Sequence, residues 1–186
     1  DIMAAAEQAR AALAAAVGGA GYDCVHMRRR DFIADHAQEE VGMGEYAAMA
    51  AARLAALSAG GGRSAARPLY LASDVSEQPE ARAAFAQHFE HVITLLDVFP
   101  PALLDSFGSY QHSQLRGSER ASALARDMRF GAVEQLICSA ADLFVGNMWS
   151  TYTHHVCALR EERGVARACK GSDIYGRAID PKMEYI

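Results

Sequence analysis

The sequence contains no apolar run of the roughly 18–20 residues that a bilayer-crossing helix requires, so these 186 residues hold no helical span. It has no basic excess either. The net charge is -5, which argues against a general nucleic-acid binder, whose footprint is a surplus of Lys and Arg. There is no Walker loop, no G-x-S-x-G, no G-x-G-x-x-G and no acidic pair spaced as a metal-ligand set, and the chemistries those motifs carry lose their usual signature. The four cysteines (Cys24, Cys138, Cys157, Cys169) form no C-x-x-C pair and no zinc spacing. Cys24 and Cys138 sit in apolar contexts and read as core; Cys157 and Cys169 are close enough in sequence for a late disulfide to be an open alternative. Composition leaves the redox compartment undecided. Asp1-Ile2-Met3-Ala4 resembles neither an initiator start nor a secretion signal, which has a basic flank and an apolar centre. The expectation is a fragment, or a chain numbered after removal of something, with no targeting signal of its own.

What is present fits one domain with a substantial core. Hydrophobic residues make up 51% and charged residues 22%, ordinary for a globular chain. Many of the apolar residues are alanine, which favours helix but buries little area, so the core must rest on Leu, Val, Ile and Phe. Helices are predicted over 2–17, 45–58, 77–89, 133–141 and 150–163. Short β-prone apolar runs over 22–27, 68–74, 92–96 and 143–146 predict four strands. The stretch from Asp97 to about Gly117 carries Pro100-Pro101 and reads as a long irregular loop. This alternation predicts an α/β, Rossmann-like parallel sheet with flanking helices. Ligands of such sheets bind beyond the carboxyl ends of the strands, which directs attention to 26–31, to Ser73-Asp74 and to 147–152.

Three arginines, Arg28, Arg29 and Arg30, follow the first strand directly. Arginine keeps its charge at any working pH and pairs bidentately with phosphate through its planar fork. The bland alternative is a solvated basic loop paired with Asp31, Asp35 or Glu39. Ser150-Thr151-Tyr152 opens a helix after a strand, where backbone N–H groups and a hydroxyl bind phosphate oxygens; a plain N-cap is the alternative. Glu134 reads as a carboxylate at the start of its own helix, or as an acceptor for a nucleobase or ribose. Asp74 reads as a helix cap. His26 ends an apolar strand and faces the expected pocket mouth. The adjacent pair His154 and His155 would point in different directions on a helix, which disfavours a shared metal ion.

Together these segments resemble a known family. Val25-His26-Met27-Arg28-Arg29-Arg30-Asp31-Phe32-Ile33 resembles the H-L-R-R-x-D-F segment of the GDP-fucose protein O-fucosyltransferases, most closely the type acting on thrombospondin repeats. Leu71-Ala72-Ser73-Asp74 resembles that family's A-T-D strand end. Glu134-Gln135-Leu136-Ile137-Cys138, Phe144-Val145-Gly146 and Ser150-Thr151-Tyr152 resemble D-Q-x-I-C, F-I-G and S-T-F, and Arg160-Glu161-Glu162-Arg163 resembles an E-E-R-E run. The order and spacing agree from about Tyr22 to Gly164.

The resemblance implies the C-terminal, GDP-fucose-binding domain of a GT-B glycosyltransferase, occupying residues 1–186, with the N-terminal acceptor and general-base half outside this chain. It implies inverting transfer of fucose to a protein or glycan hydroxyl, no cofactor and no metal requirement, in the lumen of the endoplasmic reticulum or Golgi. By motif position Arg28 resembles the arginine on the β-phosphate and glycosidic oxygen. His26, Arg29, Asp74, Glu134, Ser150, Thr151 and Tyr152 resemble donor-binding positions. Two departures stand out: Glu134 replaces Asp, and Tyr152 replaces Phe. A non-catalytic sugar-nucleotide-binding module and a glycosyltransferase using another sugar nucleotide remain open readings.

Overall fold

The computed structural model describes residues 2–19, 21–27, 41–58, 67–73, 78–98, 130–165, 169 and 172–176. In chain order the elements are α1 (Ile2–Ala16), β1 (Asp23–Met27), α2 (Met43–Leu57), β2 (Leu69–Ser73), α3 (Gln78–Phe85), β3 (Val92–Ile93) and α4 (Leu95–Val98). They continue with α5 over 130–139, then β4 (Phe144–Val145) and α6 (Thr151–Glu162). α1 is an alanine-rich run that stops where Gly18 and Gly19 take φ of 61° and 76°, a left-handed ending open to glycine at little steric cost.

The four strands form one parallel sheet in the order β3-β2-β1-β4. Every residue of β1 and β2 is buried, as expected for strands covered on both faces. Because side chains alternate along a strand, the sheet has two different faces. Val25, Met27, Leu69, Leu71 and Val145 pack with Tyr46, Ala50 and Leu54 of α2 and Ala81 and Phe85 of α3. Cys24, Tyr70, Ala72 and Phe144 pack with Leu13 of α1, Val133 and Ile137 of α5, and Val156 of α6. The result is an α/β/α sandwich.

Three expectations change. The run 92–96 is not one strand: pairing ends at Ile93 and the chain turns into α4. Thr94-Leu95-Leu96-Asp97 overrides the β-prone side chains, because the Thr94 N–H and hydroxyl both donate to Asp97 Oδ2, at 2.8 and 3.0 Å. This resembles half of a capping box, the acidic residue reaching back to the N-cap N–H. Glu134 does not start its helix; it lies beyond the first turn of α5, too far along for the dipole argument to apply. Cys24 and Cys138 are not core thiols but a disulfide joining β1 to α5, with Cα atoms 5.3 Å apart. Their apolar setting concealed a pairing of residues 114 apart in sequence. Cys157 and Cys169 also pair.

The amino end of the sheet is held by ions and carbonyl caps. Arg67 pairs with buried Asp23 at 3.1 Å and with Asp142. Buried Arg160 donates to the carbonyls of Ala141 and, at 3.0 Å, Asp142, just past the end of α5. A guanidinium there satisfies carbonyls at a helix end, and its burial lowers the Arg160 pKa. The arginine of the 160–163 run therefore serves structure.

Candidate functional site

The strand order directs attention to one part of the sheet. From β1 the chain moves outward to β2 and β3, then returns across the opposite face to β4 on the other side of β1. Neighbouring parallel strands whose connections diverge in this way leave a crevice outside their carboxyl ends. Here that rule points beyond β1 and β4, where His26 of β1, the 146–150 turn after β4 and the first turn of α6 come together.

The 146–150 turn is densely braced. Asn147 Oδ1 accepts the Trp149 N–H at 2.9 Å, and the Asn147 carbonyl accepts the Ser150 N–H at 3.0 Å. The Met148 N–H donates to Asp173 Oδ1 at 2.9 Å, while Asp173 Oδ2 takes the Tyr175 N–H at 3.0 Å. Asp173 is buried and its backbone forms a parallel bridge with Gly146, so 172–174 runs beside the end of β4. Gly146 is needed there: a Cβ would come within 2.9 Å of Thr153 Cγ2 and 3.1 Å of Phe144 Cζ. Without a side chain the strand end and helix start can pack closely.

Ser150 is the N-cap of α6, with φ -92° and ψ 121°. The position is ordinary for serine, but its hydroxyl makes no cap bond. Ser150 Oγ is buried and has no hydrogen-bond partner among the described residues. A buried unsatisfied hydroxyl costs about 1–3 kcal/mol. The first-turn N–H groups of any α-helix lack intrahelical acceptors, and the helix dipole makes this end favourable for negative charge. The unmatched Ser150 hydroxyl thus stands beside the amino end of α6, the end of a helix that favours negative charge.

The three residues of the Ser-Thr-Tyr motif diverge, since each helical step turns the side chain by about 100°. Ser150 is buried at the cap, and Thr151 is exposed. Tyr152 turns inward, stacks on His26 with ring centroids 3.8 Å apart and planes at 11°, and points its hydroxyl at Cys138 Sγ, 3.7 Å away. His26 is 6% exposed. Its Nδ1 lies 3.4 Å from Thr153 Oγ1, and its carbonyl accepts the Tyr46 hydroxyl at 2.9 Å. Burial, then the charges of Tyr175 and Asp173, raises the Tyr46 pKa well above its ordinary value, so Tyr46 remains a donor. Glu134, 5% exposed, accepts the Tyr70 hydroxyl at 3.3 Å. Burial first, then the Glu134 charge, pushes the Tyr70 pKa far upward.

The structure therefore brings His26 together with Tyr152 and Thr153 of the α6 first turn, next to the Ser150 cap, and places Glu134 on the same face of the sheet, against Tyr70. Arg28, Arg29 and Asp74 lie outside the described residues; in sequence Arg28 follows the last residue of β1, and Asp74 the last of β2. Sequence reasoning pointed to the 147–152 segment but missed the bracing role of Asn147, and it missed Asp173 and the roles of Tyr46 and Tyr70. An Asn two residues before a turn N–H is a recognisable Asx pattern. Asp173 shows the same local pattern toward the Tyr175 N–H, but its bond to the Met148 N–H, 25 residues upstream, carries no local signal. Among the described residues no group of three or more His, Cys, Asp or Glu is placed to hold a metal ion, and no helix is long and apolar enough to cross a membrane. No protein-family model matches the chain, and no curated protein matches it.

Proposed function

We propose that the chain is a sugar-nucleotide-binding domain that seats the pyrophosphate of GDP-fucose in the crevice beyond β1 and β4, as the donor half of a GT-B O-fucosyltransferase. The observation that carries this reading is the buried, unpartnered Ser150 hydroxyl at the N-cap of a 12-residue helix. A phosphate oxygen accepting from that hydroxyl and from the first-turn N–H groups would satisfy donors that folding leaves unmatched. The ordered likeness of 25–33, 134–138 and 150–152 to the O-fucosyltransferase motifs supplies the sugar and the nucleotide.

In this reading the acceptor hydroxyl oxygen attacks the fucose anomeric carbon from the face opposite GDP. The bond from that carbon to the β-phosphate oxygen breaks with inversion, and GDP leaves with the electron pair. The acceptor proton passes to a base in the partner half of the enzyme. Arg28 neutralises the charge growing on the departing diphosphate, a transition-state contact of the oxyanion-hole kind. Arg29 supports it, Glu134 of α5 and His26 of β1 bound the donor, and Asp74, which follows β2 in sequence, contributes to donor binding. Two disulfides in a chain of this size favour an oxidising compartment, in keeping with an endoplasmic reticulum or Golgi lumen.

Calorimetric titration tests the reading. GDP should bind the wild-type chain, more tightly than UDP, and Ser150→Ala should weaken it about tenfold, the loss expected of one hydrogen bond to a charged group. Equal binding of UDP would move the donor to another sugar nucleotide. No binding of GDP, or an affinity unchanged in Ser150→Ala, would remove the reading.

A further inference from the structure

The junction between β4 and α6 is closed into a ring by links that do not follow the chain. Cys157, on α6, is bonded to Cys169, and the Cys169 carbonyl accepts the Ser172 N–H at 3.1 Å. The chain then lies against the end of β4. There the Ser172 carbonyl accepts the Gly146 N–H at 3.0 Å, and the Gly146 carbonyl accepts the Ile174 N–H at 2.8 Å. Asp173, between those two residues, reaches the 146–150 turn and accepts the Met148 N–H at 2.9 Å. The turn leads into α6 at Ser150, and α6 returns to Cys157.

Both backbone polar groups of Met148 are therefore held. Its N–H goes to Asp173, and its carbonyl accepts from Nε2 of His154 on α6. A hydrogen bond to a carboxylate is roughly twice as strong as one between neutral groups, so Asp173 grips the turn firmly. What holds Asp173 is less extensive. Its stretch meets β4 in one isolated bridge, at Gly146, and a segment held by few backbone bonds opens at low cost unless something else fixes it. The Cys157–Cys169 bond is that fixture, because it keeps Ser172, three residues further on, within about 11 Å of its anchor on α6. Both cysteines are buried, which makes the bond a lock rather than a switch thrown by passing thiols.

Resting on the donor-binding reading above, we propose that residues 172–176, locked to α6 through Cys169, are a clamp on the 146–150 turn and so on the amino end of α6. Asp173 is its positioning residue. Diphosphate affinity is then governed from residues that need not touch the ligand, since hydrogen bonds weaken steeply when their donors are misaligned.

Amide hydrogen exchange and GDP calorimetry on the intact chain test the clamp in three variants. These are Cys157→Ala with Cys169→Ala, Asp173→Asn, and the two combined. Asparagine keeps the size of aspartate but offers one acceptor oxygen to two N–H groups. In each variant the Met148, Trp149 and Ser150 amides should speed up relative to those of β1 and β2, the ratio rising about tenfold or more. GDP should bind about tenfold more weakly. The combination should do little more than the stronger of its parts, because both act through one segment. If the asparagine variant folds poorly, the cysteine variant carries the same test.

Exchange that rises equally in the turn and in β1 and β2 would overturn the clamp, leaving the disulfide and Asp173 as supports of the whole fold. Unchanged GDP affinity in variants whose turn amides do exchange faster would also overturn it, while the donor reading stands. Failure of GDP to bind the wild-type chain would remove the donor reading and, with it, the site that the clamp serves.

Discussion

The two faces of the sheet share the same four strands yet hold very different side chains. The face toward α2 and α3 is mostly hydrocarbon: Val25, Met27, Leu69, Leu71 and Val145 meet Leu54, Ala50 and Phe85. The face toward α1, α5 and α6 also has an apolar base, but it adds the Cys24–Cys138 bond, the Tyr70–Glu134 hydrogen bond and the stack of His26 on Tyr152. A hydrocarbon face needs only volume and shape, and it tolerates exchange among similar side chains. A face with buried polar groups must satisfy each of them, because an unmatched group in a low-dielectric interior is costly. The one face serves mainly as support, and the other carries the candidate chemistry under tighter constraint.

The largest effect should come from the cross-link of the polar face. Replacing Cys24 and Cys138 together by alanine removes a closure spanning 114 residues, which chain entropy makes worth about 4–5 kcal/mol. The 12-residue closure of Cys157 and Cys169 should cost about 3 kcal/mol or less when lost. Urea denaturation of the two double variants measures both, and equal losses would erase the special standing of β1 and α5.

On the hydrocarbon face Leu71→Ala should cost about 3 kcal/mol and Leu71→Met under about 1.5 kcal/mol. A methionine as damaging as the alanine in the same denaturation curves would mean that this face is packed as strictly as the other.

Alkali should act on the polar face through Tyr22, whose hydroxyl donates to the Ile137 carbonyl at 2.7 Å. Burial pushes its pKa from 10.0 to about 12 against the lowering pull of Arg10, Arg163 and Arg160. With the folded value above the unfolded one, this stability is whole below pH 10.0 and is lost as pH rises through about 12. The full loss is on the order of 2 kcal/mol. Melts across that window should show the decline, and Tyr22→Phe should make it shallower.

Ser150→Ala should cost no stability at all. Its hydroxyl has no partner among the described residues, so alanine, by removing an unmatched buried group, should leave the unfolding free energy unchanged or raise it by about 1–3 kcal/mol. A loss of 1 kcal/mol or more would show that the hydroxyl already supports the fold, weakening its assignment to a ligand.

Much of this architecture can be read locally. The runs at 22–27 and 68–74 are mostly apolar because both faces of their strands are covered, and the glycines at 18 and 19 mark the end of α1. The run at 92–96 misled because Thr94 and Asp97 form a local turn stronger than the β preference of the side chains between them. Of the site, Ser150 is legible as a residue at a strand-to-helix junction, but its missing cap bond is not. That depends on the rotamer that packing imposes.

By itself the sequence determined the alternation of apolar strands and helices, and with it a parallel α/β sheet. It also carries the ordered segments on which the proposed sugar-nucleotide reading rests. Hydrophobic period and turn chemistry act over a few residues, and a single chain displays them directly. Only the tertiary structure decided the order β3-β2-β1-β4, the stacking of His26 on Tyr152, the pairing of Cys24 with Cys138 and the bracing of the 146–150 turn by Asp173. These join residues that local preference cannot connect, because they become neighbours only when the faces of the sheet are buried.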